Sequence, residues 1–339
     1  MKTLAAALIA SVVLAGSLAP ADAQTRLRVS NWLPPSHPIV ADMMRPWAEA
    51  VSDATEGRVE VEIMEAPLGP PQAQFDIVAT GQADVGYGVH GYTPGRFVLT
   101  QVAELPFLGD SAEAVSVAYW RLHEEMLAEA GEHRGVKVLS VFAHGPGHVY
   151  TTGTEVDGID DLQGLKLRTG GGIVNAIAKE LGAVPLLEPS SKTYEILSAG
   201  IADGILFPHE SVPFFRLDGI VRHGAIVPRG LYNTSFFVAM NEAVWDGLSP
   251  EDQEAVMSVS GEAFARRAGQ AWDAADAAGR EKMVAAGISF VTLSDDEVAR
   301  IAEKLKPVEA RVFGEMAEKG VDGEAALQAL RDRVEAYGN

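Results

Sequence analysis

Asp160-Asp161-Leu162-Gln163-Gly164-Leu165-Lys166-Leu167-Arg168-Thr169-Gly170-Gly171-Gly172 reads as a short strand, Leu165 to Arg168, that runs into glycines before a helix from about Ile173 to Leu181. In open α/β sheets ligands bind beyond the carboxyl ends of strands. Glycine lets a backbone come close to a guest, and the start of a helix offers free N–H groups to an anion. Arg168 adds a planar fork that can grip a carboxylate with two charge-assisted bonds, each worth roughly 1.5–3 kcal/mol. On this ground alone an ordinary surface salt bridge would explain Arg168 equally well.

The same grammar extends in both directions. Upstream, strands are expected at Arg26–Trp32, Val59–Met64 and Asp84–Tyr87, separated by helical patterns at Val40–Thr55 and through Gln74, Ile77 and Val78. This β-α-β-α-β order implies a parallel sheet covered by helices. A long amphipathic helix is expected from about Ser111 to Ala130, then a strand from Val136 to Ala143. At His144-Gly145-Pro146-Gly147 the chain leaves a first lobe. Downstream come a strand near Pro185–Leu187, a helix near Thr193–Ala199 and strands at Ile205–Phe207 and Ser235–Met240. Ser249-Pro250-Glu251-Asp252 opens a helix with a capping serine, a proline at its first position and acids behind it. Its pattern lasts to about Ala286, long enough to cross between lobes. A strand at Ile288–Leu293 and a helix opened by Ser294 follow, and Pro307 should kink or split that helix. The expected architecture is therefore α/β with two lobes, a cleft between them and a long helix crossing both. Lobe I takes 24–145 plus about 234–273, and lobe II takes 146–233 plus about 274–339.

Composition narrows the function. Residues 1–23 have the order of a cleaved export signal: Lys2, an apolar run from Leu4 to Ala19, and the small-x-small site Ala21-Asp22-Ala23. Cleavage there would leave Gln24 first and the protein in the periplasm, with no lipid-anchor cysteine and no later segment apolar enough for a membrane. The 339 residues carry a formal net charge of −20, spread along the chain, which argues against nucleic acid as a partner and makes any anion site depend on local donors. There is no cysteine, so thiolate chemistry and disulfides are excluded. A P-loop, a dinucleotide fingerprint after the first strand and a Gly-x-Ser-x-Gly elbow are all missing. The histidines show no metal-ligand spacing. No cofactor, metal or catalytic residue is expected.

Beyond these readings, the chain resembles the substrate-binding proteins of tripartite ATP-independent periplasmic (TRAP) transporters, of the dicarboxylate-binding-subunit type. The matching stretches are Asp161 to Arg168, Leu181-Gly182-Ala183-Val184-Pro185, Tyr194-Glu195-Ile196-Leu197, Gly200-Ile201-Ala202-Asp203-Gly204, Val238-Ala239-Met240-Asn241, and Leu248 to Asp252, in order along the whole mature chain. The resemblance implies a periplasmic-binding-protein-like fold whose lobes close on a ligand, and membrane partners made of a small and a large subunit. It gives the residue at the position of Arg168 the role of clamping the substrate carboxylate.

The departures from that pattern bear on the guest. Where sialic-acid binders of the family carry a second Arg, this chain has His148, with Thr151 three residues on; where they carry Asn after the Asp-Gly pair, it has Phe207. The pocket is therefore expected to be less polar than one built for a sugar acid, and to take a monocarboxylate with an apolar or aromatic body. Trp32, Tyr92 and Phe236 are candidate aromatic walls, although packing alone would account for Trp32 and equally for Phe207 and Phe236. Gln72, His90, His209, Glu210 and Asn233 sit at turns that could reach the ligand. The isolated protein is expected to be a monomer. Two rivals stand beside this reading: a periplasmic hydrolase or lyase using His148 or His209 with Glu210, and a binding subunit for a signalling receptor.

Overall fold

The computed structural model describes residues 24–337, so the expected export signal lies outside the described residues. Eleven strands follow one another: β1 (Thr25–Ser30), β2 (Val59–Ile63), β3 (Val85–Val89), β4 (Val136–Ala143), β5 (His148–Thr151), β6 (Lys166–Thr169), β7 (Val184–Leu187), β8 (Gly204–Phe207), β9 (His223–Ile226), β10 (Ser235–Asn241) and β11 (Ser289–Thr292). They form two sheets, in the orders β2-β1-β3-β10-β4 and β11-β9-β5-β8-β6-β7.

The β-α-β-α-β segment gives parallel pairing, with β1 between β2 and β3. The sheet is nonetheless mixed. β10 returns to the first sheet after the chain has built most of the second, and runs antiparallel to both β3 and β4. In the second sheet β6 is parallel to β7 and β8, while β5 is antiparallel to β8 and β9. β5 (HVYT) and β9 (HGAI) were not expected. Each is only four residues long and carries a polar or small residue where an apolar one would have marked a strand.

Three helix expectations change. The segment from Ser111 is α-helical only over Ala112–Leu122, then loosens through a π turn and a tight 3-10 turn to Gly131 at φ 68°. The helix after Ser249 is two helices, Pro250–Ser258 and Gly261–Ala285, separated where Ser260 is extended and Gly261 takes φ 52°. Pro307, by contrast, does not split its helix: Asp295–Glu318 is continuous, with Leu305 and Val308 buried on either side of it.

Two large apolar cores result, beside a small cluster of Phe75, Phe97, Phe237 and Ala239. One holds Leu27, Val29, Trp47, Phe142 and Phe264, the other Tyr150, Ile205, Val212, Leu217 and Met283. Each fully buried side chain of this size contributes roughly 1.5–3 kcal/mol. Gly261–Ala285 spans the distance between them, about 37 Å at 1.5 Å per residue, with Phe264 in the first core and Met283 in the second. Midway, Asp273 accepts the Ser111 hydroxyl (2.8 Å) and the Ala112 N–H (2.6 Å) at the start of a first-core helix. Asp276 accepts the Glu210 N–H at 2.7 Å on the other side. Among the described residues no helix is long and apolar enough to cross a membrane.

Candidate functional site

A cavity of about 50 Å³ lies between the sheets. By the same measure one water needs about 10–15 Å³, so the space suits one small guest. Its walls come from distant parts of the chain: Trp32, Leu33, His37 and Ile39 after β1, Val89 and Tyr92 at the end of β3, His144 after β4, Arg168 and Gly170 at the end of β6, Ser190, Phe207 at the end of β8, Ser211 and Phe215, Tyr232, Thr234 and Phe236 around the start of β10, and Trp272 from the crossing helix.

Arg168 is the only lysine or arginine in these walls. It is 1 % exposed. Its Nε and Nη2 both donate to the Glu188 carbonyl, at 2.9 and 2.6 Å, which fixes the plane of the fork. The guanidinium lies over the Phe207 ring, 4.6 Å from its centroid, a cation–π contact. Burial pulls its pKa down, opposed by the Tyr92 and Tyr232 hydroxyls. Among the described residues no carboxylate oxygen lies within 4.0 Å of it. A buried cation without an anionic partner is costly, and a guest carboxylate would relieve that cost.

The helix N-terminus that follows the glycines does not serve the guest. The Ile173 N–H is taken at 3.2 Å by Glu104, whose other oxygen accepts the Ser235 hydroxyl (2.7 Å) and N–H (3.1 Å). Burial raises the Glu104 pKa. The close approach the glycines permit is between the two halves: a Cβ on Gly91 would meet the Gly172 nitrogen at 2.8 Å. Nearby, the Ser190 N–H donates to the Tyr92 hydroxyl at 3.0 Å. The two halves touch beside the cavity.

Of the residues singled out from sequence, Arg168, Phe207, Tyr92, Trp32 and Phe236 come together on the walls. The other six lie outside them. Gln72 is exposed, and its neighbour Gln74 turns inward to Ser30 instead. His90 is buried against His133 (2.9 Å) and Ser235 (3.1 Å) among phenylalanines. His148 accepts the Val227 N–H through Nδ1 and stacks on His209, whose own Nδ1 meets the Tyr150 hydroxyl. Asn233 donates to the carbonyls of His144 and Gly145, bracing the loop behind the cavity. Glu210 is one residue behind the wall, with Ser211 in front of it. Arg96 pairs with Asp76 and lies over Phe75, away from the site.

His37, Ser211, Phe215, Tyr232 and Trp272 were missed. Trp272 reads as one more apolar position on an amphipathic helix, and periodicity cannot separate a residue facing packed neighbours from one facing an internal space.

Comparison with known proteins follows the same lines. Residues 29–316 match the bacterial extracellular solute-binding proteins, family 7. The outer membrane transporter protein TsaT of Comamonas testosteroni is 32% identical over 332 residues, covering 98% of this chain and 97% of that one. A crystal structure of a TRAP periplasmic solute-binding protein from Bordetella bronchiseptica, with bound (R)- and (S)-mandelate, is 41% identical with a TM-score of 0.90, over 92% of this chain and 99% of that one. A marine metagenome TRAP solute-binding protein specific for aromatic acid ligands, in complex with 3-hydroxybenzoate, is 31% identical with a TM-score of 0.87, over 93% and 99% of the two chains.

Proposed function

The chain belongs to the family 7 extracellular solute-binding proteins, as a TRAP transporter substrate-binding protein that captures small organic carboxylates, and from that premise we propose that its guest is an aromatic monocarboxylate. The observation that carries this reading is a single buried guanidinium, with no salt bridge within 4.0 Å among the described residues, at one end of a cavity walled by Trp32, Tyr92, Phe207, Phe215, Phe236 and Trp272. One cation matches one carboxylate, and the rings match an aromatic body. The mandelate and aromatic-acid complexes of the two similar structures agree with it. Arg168 clamps the carboxylate, Phe207 backs the guanidinium, and Tyr92 brings the opposite half against the guest.

The members of this family are substrate-binding proteins. In this reading the chain is exported to the periplasm behind a cleaved leader, works as a monomer without catalysing a reaction, and delivers its ligand to small and large membrane subunits. Lobe closure excludes water and strengthens the Arg168 contact, and the ligand favours the closed state because only there does it touch both halves. The hydrolase reading gains no support from geometry: His148 and His209 spend their Nδ1 atoms inside the second lobe, and Glu210 faces His37.

Titration calorimetry tests it. Benzoate or mandelate should bind, while succinate and glucuronate should not. Arg168→Ala should weaken binding by roughly 10²-fold to several thousand-fold, the equivalent of the roughly 3–5 kcal/mol lost when one partner of a buried pair is removed. Binding of only dicarboxylates or sugar acids would refute the proposal.

A further inference from the structure

The side chains around the guest close into a ring, and Arg168 occupies one pole of it. On one side the guanidinium lies on Phe207, Phe207 stacks on Phe215 at 5.7 Å, and Phe215 sits 6.2 Å from His37. On the other side Tyr232, which shares the cavity wall with Arg168, lies 5.5 Å from His144. His144 is 6.0 Å from Trp272, and Trp272 is 6.0 Å from His37. Two rings thus separate Arg168 from His37 along one arc. The far pole, made by His37, His144, Ser211 and Trp272, gathers four side chains with polar atoms.

Its hydrogen-bonding state can be worked out. The Ile39 N–H donates to His37 Nδ1 at 3.1 Å, so in the neutral ring the proton sits on Nε2, which is a donor. His144 Nδ1 contacts the Gly145 carbonyl, which can only accept, so that nitrogen carries the proton and Nε2 is a bare acceptor. Burial keeps both rings neutral, with pKa values of about 3 and about 4. The Ser211 hydroxyl donates to Glu210 Oε2 at 2.8 Å and keeps its lone pairs free. Glu210 Oε1 is buried without a hydrogen-bond partner, 3.9 Å from His37 Nε2 and too far to bond it. Trp272 Nε1 is likewise buried and unpartnered.

We propose that this far pole reads a hydroxyl at the end of the guest remote from its carboxylate and rejects a second carboxylate there. Resting on the aromatic-monocarboxylate reading above, it makes hydroxylated aromatic monocarboxylates the preferred substrates. A hydroxyl donates once and also accepts, which suits a pole offering the N–H donors of His37 and Trp272 beside the bare acceptors of His144 and Ser211. A second carboxylate would meet no cation, and Glu210 stands behind Ser211. A site built to bond a hydroxyl discriminates strongly against the analogue lacking it, because its own polar groups are then left unpaired.

Calorimetry on the full mature protein, with benzoate, 3-hydroxybenzoate, 4-hydroxybenzoate, isophthalate and terephthalate, decides the matter. At least one hydroxybenzoate should bind 10-fold or more tighter than benzoate, and both dicarboxylates should bind more weakly than benzoate. In Ser211→Ala, and independently in His37→Gln, the ratio of hydroxybenzoate to benzoate affinity should fall toward one; melting curves establish that each variant is folded. If benzoate binds in an Arg168-dependent way and yet equals or beats both hydroxybenzoates, or if the ratio survives both substitutions, the far pole is not a hydroxyl reader while the carboxylate clamp stands. If no aromatic acid binds at all, both proposals fall.

Discussion

Arg168 is held by geometry that only its own fork can satisfy. Two of its N–H groups converge on one carbonyl and its face rests on a phenyl ring. A lysine would keep the charge but could neither chelate the Glu188 carbonyl from two atoms nor lie flat on Phe207. Arg168→Lys should therefore leave the protein folded but lower affinity for benzoate or mandelate by at least 10-fold in calorimetry; near wild-type affinity would mean that charge alone suffices. At this scale the sequence was partly readable. Arg168 stood at a strand end before glycines, Phe207 ended and Tyr92 followed a recognisable strand, and Phe236 opened one, all at strand termini that face a cleft. His37 and Ser211 carry no such signal, since a polar residue in a loop looks the same whether it meets water or an internal space. The six candidates outside the walls failed for the opposite reason: His148 and Asn233 turn to backbone groups, His90, His209 and Glu210 to neighbouring side chains, and Gln72 to the surface.

The helix Gly261–Ala285 shows how packing overrides propensity. Gly269 lies near its middle, where alanine would be favoured by about 1 kcal/mol in an isolated helix. Here a Cβ would stand 2.2 Å from the Cα of Glu113 on the helix Ala112–Leu122, so the two backbones touch. Gly269→Ala should destabilise the protein by about 1–3 kcal/mol in denaturant unfolding, as overpacking does; a gain in stability would show that the helices can move apart. The existence of this long helix was legible from its periodicity, while the capping Ser249 belongs to the separate helix Pro250–Ser258. The break between the two at Ser260 was not legible, because the left-handed turn at Gly261 answers to the Trp120 ring, which is remote in sequence. β5 and β9 escaped for a related reason: four residues are too few for a period to declare itself, and their strand character comes from the partners that pair with them.

Over the whole molecule, buried imidazoles set the response to acid. Burial lowers the pKa of His37, His90, His123, His133, His144, His148 and His209. The unfolded chain thus binds protons the native one refuses, so each group stabilises the fold above about pH 6.5 and loses that contribution as pH falls toward its native value. The loss reaches about 1.4 kcal/mol per pH unit per group. Glu104, Glu210 and Asp276, pushed upward by burial, act in the opposite sense, but they are fewer. The melting temperature should therefore drop by several degrees or more from pH 7 to pH 5, and a flat or rising profile would contradict the burial of these rings. Fold class and the two-sheet layout were the most legible properties of all, because alternating strand and helix patterns are local. The antiparallel return of β10 was not, since strand direction depends on where the chain has been in between. That itinerary leaves Asp273 and Asp276 on one turn of a single rod, the first anchored to one half and the second to the other, with Trp272 on the cavity wall beside them. Such a turn works as a rivet: two carboxylates one helical turn apart tie both halves to a single rod at the cavity wall.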